Sequence, residues 1–216
     1  MSIDTDKPTS MSRRFRGFMP VVIDVETGGF NAQKDALLEV AACTLKLDDN
    51  GIIEIDEQIC RHIVPFEGSN MEPKSLEITG IDPYHPFRMA IGEAQALGEV
   101  FSFIRKSLKQ NQCKRAIMVG HNTVLDLSFI NAASDRCNIK RNPFHPFSTF
   151  DTVSFAGLAY GQTVLSRAVK AAGIEWDNEQ AHSASYDTLK TAELFCNIVN
   201  RWRRSTGLVW SAHIDD

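Results

Sequence analysis

The chain has 216 residues, 43% of them hydrophobic, and 23 basic against 27 acidic side chains give a net charge of −4. These values fit one globular domain and exclude collagen-like and low-complexity chains. No apolar run approaches the ~18 residues of a membrane-spanning helix, and no apolar secretion signal is visible, so we expect a cytoplasmic protein with no membrane partner. Five widely spaced cysteines without a CxxC pair predict free thiols.

The first elements predicted along the chain are strands. Residues 1–17 are predicted to form a flexible basic N-terminal arm, 18–206 the folded domain and 207–216 a C-terminal tail. Apolar runs separated by turn residues then predict three strands in an antiparallel meander. They lie at 20–24, 36–47 and 52–64.

Helices dominate the remainder of the chain. Apolar residues at three- and four-residue spacing predict a helix over 91–109, and a buried strand follows at 116–119. The stretch 142–150, rich in Pro and Phe, is expected to be an irregular loop. Further helices are predicted at 125–137, 152–159, 163–172 and 184–204. This order indicates one α/β domain with a mixed central sheet flanked by helices.

The first group of candidate functional residues is Asp24 and Glu26, at the end of the first strand. Residues i and i+2 of a strand project to the same face, so both carboxylates can reach one ion. Hard divalent cations prefer such oxygen ligands. An ordinary strand-end turn is the alternative for this motif taken alone.

The second group follows the strand at 116–119. Gly120, His121 and Asn122 precede Asp126, which is predicted to lie in the first turn of a helix. Ligands of open α/β sheets bind at the carboxyl ends of the strands, so Asp126 can supply another ligand carboxylate. The alternative is that Asp126 only complements the dipole of its helix.

The third group is His182 and Asp187, where the last helix begins. Histidine can accept a proton near pH 7, so His182 suits a general base, and Asp187 can enter the same site from the first turns. A surface histidine and a helix-start aspartate are the alternatives.

The three groups in this order resemble the DEDDh 3′–5′ exonucleases of the ribonuclease H-like fold. Several stretches, most of them outside the motifs, are most similar to those members that trim the 3′ ends of structured RNAs. They are 14–18, 20–30, 115–119, 140–147, 161–165 and 196–202. The resemblance implies a hydrolase that matures tRNA and other stable RNAs and releases nucleoside 5′-monophosphates.

The resemblance also implies two Mg²⁺ ions, with Mn²⁺ as an alternative. Asp24 would contact both ions, Glu26 and Asp187 would complete the first, and Asp126 would support the second. His182 would take a proton from the attacking water.

Nucleic-acid binding is implied for two further sets of residues. The basic set aligns with an RNA-binding patch that, in the similar proteins, faces the catalytic centre of a second subunit in a homodimer. It comprises Arg14, Arg16, Lys109, Arg115 and Lys140. Phe30 and Phe147 are candidates for stacking on unpaired terminal bases. The family pattern has further phenylalanines where this chain has Ile78 and Leu125, which leaves base discrimination open.

Two other functions share these residues. A DNA-directed 3′–5′ exonuclease, engaged in proofreading or in trimming single strands, would use the same catalytic groups, so single-stranded DNA is the alternative substrate. A catalytically inactive nucleic-acid-binding module is the alternative from another class. The presence of all four carboxylates and His182 argues against it.

Overall fold

The computed structural model of the protein describes residues 11–206. The described elements are, in chain order, α1 (Met11–Arg14), β1 (Phe18–Thr27), β2 (Leu37–Leu47), β3 (Ile53–His62), α2 (Pro73–Thr79), α3 (Glu93–Gln110), β4 (Arg115–Gly120), α4 (Thr123–Arg136), β5 (Phe144–Asp151), α5 (Thr152–Tyr160), α6 (Leu165–Ala171) and α7 (Ala184–Thr206).

The five strands form one mixed sheet in the order β3-β2-β1-β4-β5. β1 pairs antiparallel with β2, and β2 antiparallel with β3, so the predicted meander is confirmed. β1 also pairs parallel with β4, and β4 parallel with β5. The apolar strand β1 therefore lies at the centre of the sheet, and its carboxyl end lies beside the carboxyl end of β4.

Helices cover both faces of this sheet, as predicted. The first nine residues of β2 are all buried, which requires packing on each face. α3 contacts β2, β3 and α4, while α7 crosses β1, β2 and β3 and contacts α5 and α6. Phe101 of α3, Phe129 of α4 and Phe195 of α7 are among the largest fully buried side chains. This core fixes the helix starts relative to the strand ends.

The stretch 142–150 differs from its prediction. It was expected to be an irregular loop, but Phe144–Asp151 forms the edge strand β5. The strand tolerates Pro146 because an edge strand needs hydrogen bonds on one side only. The pairing with β4 is also irregular between Ala116 and Met118. Local composition predicts a loop here, and the pairing with β4 overrides it.

The predicted basic arm also differs in the part that the structure describes. Met11 and Arg14 belong to the short helix α1, and both side chains are buried. Met11 belongs to the main core, so residues 11–17 are packed against the domain and are not a flexible arm. Residues 1–10 and the predicted tail 207–216 lie outside the described residues.

Two smaller predictions concern cysteines and membranes. All five cysteines are free, as predicted, and burial raises the pKa of the Cys43 and Cys196 thiols to about 12. Within residues 11–206, no helix combines the length and the hydropathy that crossing a membrane requires.

Candidate active site

Asp24 and Glu26 lie near the carboxyl end of the central strand β1. Their Cα atoms pair with Ala41 and Glu39 of β2, and the alternation of the strand places both carboxylates on one face. Glu26 is 9% exposed. β2 pairs with both residues, whereas the pairing of β1 with β4 ends at Val22, so the two carboxylates lie on strand backbone just beyond the paired end of β4.

Asp126 reaches the same strand end from the first turn of α4. The backbone N–H of Val25 donates to Asp126 Oδ1 at 3.1 Å, which ties the carboxylate to β1 between Asp24 and Glu26. A Cβ atom on Gly120 would lie 2.8 Å from Thr123 Cγ2 and 3.2 Å from Asp126 Oδ2. Gly120 is therefore required because a side chain there would displace α4 and its carboxylate.

Asp187 enters from the first turn of α7, as predicted. Its backbone N–H donates to the carbonyl oxygen of Ser183 at 2.9 Å, and its Oδ2 accepts the N–H of His182 at 3.3 Å. Its Oδ1 is buried and has no hydrogen-bond partner among residues 11–206. His182 is exposed and takes a left-handed backbone conformation, with φ of 65°, just before the helix.

Three of these carboxylates form a candidate metal site. One carboxylate oxygen from each of Asp24, Glu26 and Asp187 lies within 4.8 Å of the other two. Three clustered acidic oxygens suit a hard divalent cation, and the unpartnered Oδ1 of Asp187 is left available as a ligand. The residues present therefore fit the metal ion that the family implies.

Electrostatics also favour a cation at this place. Burial, followed by the charges of Asp126, Glu26 and Asp187, raises the pKa of Asp24 well above its ordinary value. Burial and then Asp187 raise the pKa of Glu26 to about 8, and burial raises that of Asp126 to about 7. Burial first, and then repulsion between the like charges, favours the protonated form of these acids, and a bound cation would offset both effects.

Asp151 organises the second motif and was missed by the sequence analysis. It accepts the backbone N–H groups of Asn122 and Thr123 at 3.2 Å each, the Thr123 hydroxyl at 3.0 Å and the N–H of Val153 at 2.9 Å. One carboxylate thus caps α5 and fixes the start of α4, which carries Asp126. The sequence signal is an Asp-Thr pair at a helix start, and it is weak because the preceding stretch 142–150 has the composition of a loop.

His121 supports this arrangement rather than the chemistry. Its Nδ1 lies 2.9 Å from Thr152 Oγ1, and its Nε2 lies 3.0 Å from the carbonyl oxygen of Thr163. Burial lowers the pKa of this imidazole. Both ring nitrogens are engaged, so His121 joins the end of β4 to the loop before α6.

Phe30 lies in the loop after β1, four residues beyond Glu26 in the sequence. A Cβ atom on Gly29 would lie 2.2 Å from Asp35 Oδ2, so the loop after β1 can pack closely only because glycine stands there. Phe30 is 78% exposed, and it borders a cavity of about 810 Å³ that Asn70 and Asn131 also line. An exposed aromatic ring at the rim of a cavity is suited to stacking on a base.

Phe147 lies elsewhere, at the amino-terminal half of β5. It is 80% exposed, and its ring centroid lies 4.6 Å from that of His145, which in turn lies 5.5 Å from that of Phe18. Phe18 begins β1, and six residues at about 3.3 Å each place it roughly 20 Å from Asp24. Within one chain, Phe147 is thus far from the carboxylates.

Four of the five predicted basic residues gather at this same end of the sheet. Arg16 precedes β1, Arg115 begins β4 opposite Phe18, and Lys109 lies in the last turn of α3. The N–H of Lys114 donates to the carbonyl oxygen of Gly17 at 2.7 Å, which joins these segments. The loop that follows Lys140 belongs there as well, because the N–H of Ala116 donates to the carbonyl oxygen of Pro143 at 2.9 Å. We call these four exposed residues the basic surface: Arg16, Lys109, Arg115 and Lys140.

Arg14 does not belong to the basic surface. Its side chain is 6% exposed and donates to the carbonyl oxygen of Gly51 at 3.4 Å. Burial lowers the pKa of its guanidinium to about 10. The prediction that Arg14 binds nucleic acid is therefore not supported by its position, because a buried side chain cannot meet a phosphate.

The two positions that depart from the family pattern differ in exposure. Ile78 is 57% exposed on α2. Leu125 is partly buried and packs against the core from the first turn of α4.

The site can be compared with known proteins. Residues 21–195 match the sequence profile of the family described as RNase_T, exonuclease. Ribonuclease T of Vibrio parahaemolyticus is 57% identical over 208 residues, which cover 96% of this chain and 97% of that protein. Ribonuclease T of Hahella chejuensis is 55% identical over 217 residues, covering 100% and 99%.

Solved structures with the same fold are more distant in sequence. Exonuclease I of E. coli in complex with a dT13 oligonucleotide superposes with a TM-score of 0.67 at 21% identity. The match covers 88% of this chain but only 43% of that one. The nuclease domain of 3′hExo, a DEDDh family member bound to rAMP, gives a TM-score of 0.62 at 17% identity and covers 86% and 92%.

Proposed function

Because the chain belongs to the RNase T family of exonucleases and is a metal-dependent 3′–5′ exoribonuclease, we propose that it trims the 3′ ends of structured RNAs, including tRNA and other stable RNAs. The observation that carries this proposal is the convergence of Asp24, Glu26 and Asp187 within 4.8 Å at the end of β1. The names of the relatives support RNA as the substrate. We also propose that it acts in the cytoplasm.

The carboxylates divide into two sets of ligands. Glu26 and Asp187 would hold a first ion together with Asp24, and Asp126 would support a second on the other side of Asp24. When bound, two Mg²⁺ ions, or Mn²⁺ in their place, would supply Lewis-acid chemistry, polarising the phosphodiester and stabilising charge on the leaving 3′ oxygen. The raised pKa values of the acids support this assignment, since a cation is what lets them all ionise.

His182 is the proposed general base. It is exposed at the rim of the acidic group, and its backbone is tied to Asp187 by the 3.3 Å hydrogen bond. From there the imidazole can accept a proton from the water that attacks the last phosphodiester. The bond between phosphorus and the 3′ oxygen of the preceding nucleotide then breaks, which releases a nucleoside 5′-monophosphate.

Phe30 is proposed to stack on the terminal base. Each such stack contributes about 1–3 kcal/mol and tolerates any base. Ile78 and Leu125 replace aromatic rings of the family pattern, so we propose that this protein discriminates weakly among terminal bases. Aliphatic side chains offer no π-face to a base.

The basic surface and Phe147 are proposed to act on the RNA held by a second copy of the chain. They lie roughly 20 Å from Asp24 along β1, too far for contact with the same terminal nucleotides. A homodimer that sets the basic surface of one subunit against the carboxylates of the other removes this separation. The basic surface would then hold the phosphates of the RNA body while the 3′ tail enters the site.

Mixed dimers test this arrangement. One partner carries Asp24→Asn, and the other carries Lys109→Ala with Lys140→Ala, so that each homodimer is impaired. If the basic surface acts across the interface, the mixed dimers regain activity in one of their two sites. No recovery after mixing, or a monomer in light scattering, would refute the homodimer as the working unit.

The central experiment uses a 3′-tailed RNA hairpin and its DNA counterpart, with Mg²⁺ or with chelator. The wild type is expected to shorten the RNA stepwise with Mg²⁺, and Asp24→Asn is expected to abolish shortening. Glu54→Gln, at an exposed site on β3, is the matched control. The second candidate is a DNA-directed exonuclease, which is considered because a structural neighbour was solved with a DNA oligonucleotide. Faster shortening of the DNA than of the RNA would favour this candidate. Binding without cleavage would leave only a nucleic-acid-binding module.

A further inference from the structure

The segment that leads into His182 is an ordered turn built around Asp177. The carboxylate of Asp177 accepts the backbone N–H of Glu179 at 2.9 Å and the side-chain amide of Gln180 at 2.8 Å. Both bonds lower the pKa of Asp177. The side chain of Trp176 also donates from Nε1 to Asn178 at 3.0 Å. The chain between residues 176 and 180 therefore has a defined shape two residues before His182.

Tyr186 joins this turn to α7. Its hydroxyl accepts the backbone N–H of Asp177 at 2.5 Å, and its ring meets that of Trp176 edge-on, with centroids 5.3 Å apart. The Lys190 ammonium lies 5.5 Å from the centroid of the same ring, one helical turn further along α7. Tyr186 is thus held by the helix on one side and holds the turn on the other.

The position of Tyr186 in the sequence makes this contact significant. It directly precedes Asp187, whose carboxylate belongs to the acidic group. The turn that Tyr186 anchors ends at His182. His182 adopts a left-handed backbone conformation, with φ of 65°, although it is not a glycine. Such a conformation is unfavourable for a side chain with a Cβ atom, so neighbouring contacts must maintain it. The contacts at Asp177 and Tyr186 lie on either side of His182 in the sequence.

We propose that Tyr186 is a positioning residue for His182, acting through its hydrogen bond to the backbone of Asp177. One helix then carries both a metal-ligand carboxylate and the anchor of the general base, so the two groups keep a fixed separation. This inference rests on the proposed function, because it assumes that His182 takes the proton in the reaction.

Tyr186→Phe tests the proposal because it removes only the hydroxyl and keeps the ring contact with Trp176. We expect kcat on the tailed RNA to fall about fivefold, the effect of losing one ordinary hydrogen bond. The KM and the Mg²⁺ concentration for half activity should stay within about twofold, since no ligand is removed. Tyr160→Phe is the matched control, because the Tyr160 hydroxyl bonds Asn197 at 2.5 Å between α5 and α7, outside the site.

A double-mutant cycle separates positioning from a general loss of structure. In a His182→Ala background, Tyr186→Phe should change kcat no further, because the group that it positions is absent. An equal fall in both backgrounds would overturn the proposal, as would a fall that Tyr160→Phe matches. Asp177→Ala, which removes two bonds of the turn, should reproduce the effect of Tyr186→Phe and likewise depend on His182.

The kcat values of His182→Ala and Tyr186→Phe distinguish an error in the positioning role from an error in the proposed general base. If His182→Ala leaves kcat unchanged, the assignment of the general base is wrong, and the inference falls with it. If His182→Ala lowers kcat but Tyr186→Phe does not, the base stands and only the positioning role is refuted.

Discussion

Replacing Glu26 by glutamine should stabilise the metal-free protein at alkaline pH while abolishing its activity. Glutamine keeps the shape of the side chain but removes a buried charge. In the wild type, burial and the charge of Asp187 raise the pKa of Glu26 from 4.5 to about 8. The folded protein therefore retains a proton there at pH values at which the unfolded chain has released it.

The pH dependence follows from this difference. Because the folded pKa is the higher one, ionisation favours the unfolded chain, and the metal-free wild type loses stability as pH rises from about 4.5 to about 8. At 1.36 kcal/mol for each pKa unit, the loss from Glu26 is at most about 4 kcal/mol at pH 8 and less than about 1 kcal/mol at pH 5. Glu26→Gln escapes this loss.

Urea unfolding in chelator, followed at several values between pH 5 and pH 8, measures the effect. With a slope of about 2 kcal/mol/M, the variant should gain up to about 2 M in its midpoint at pH 8 and little at pH 5. Mg²⁺ should stabilise the wild type more than the variant, because it binds the folded state through Glu26. Glu54→Gln, an exposed control, should show no such trend. A wild type that is as stable as Glu26→Gln at pH 8 in chelator would refute the reasoning.

Four further substitutions have defined outcomes. Gly120→Ala should lower kcat at least about tenfold, because the new Cβ atom would lie 3.2 Å from Asp126 Oδ2. Urea unfolding should show a loss of stability of about 1–3 kcal/mol. An unchanged kcat would contradict the close approach. Asp151→Asn should cost about 1–3 kcal/mol of stability, seen as a lower unfolding midpoint, because the amides that start α4 lose a charged acceptor; an unchanged midpoint would count against this role. Lys109→Ala should reduce the salt dependence of the RNA-binding constant by about one phosphate contact. Arg14→Ala should instead lower the unfolding midpoint, because Arg14 is buried. An equal reduction of the salt dependence by both substitutions would contradict this difference.

The elements that sequence periodicity predicted correctly are those whose apolar pattern is local. The strand at 20–24 extends to Phe18–Thr27, and the helix predicted at 184–204 is observed at Ala184–Thr206. β1 is an apolar run that is buried almost throughout, and in α7 the buried residues recur at helical spacing, so each pattern can be seen within the element itself. The edge strand β5 has no such pattern, because it is held by pairing with β4 on one side and carries a proline.

The candidate catalytic residues were predictable for a related reason. Asp24, Asp126 and Asp187 each follow a local signal, a strand end or a helix start, and the order of the motifs along the chain matches the family. Asp151 gave only a weak signal. Its four hydrogen bonds go to Asn122 and Thr123, 29 and 28 residues earlier in the chain, and to Val153, two residues later. The earlier ones exist only once the start of α4 lies beside the end of β5.

The sequence by itself predicted the fold class and the candidate set of four carboxylates and one histidine, because the order of the three motifs along the chain resembles that of the family. Only the tertiary structure decided which charged and aromatic side chains share a surface. It buried Arg14, kept Arg16 exposed two residues later, and placed Phe147 at the opposite end of the sheet from Asp24. The physical reason is that burial and proximity between distant segments depend on how strands pair and helices pack, which charge and composition along the chain do not encode.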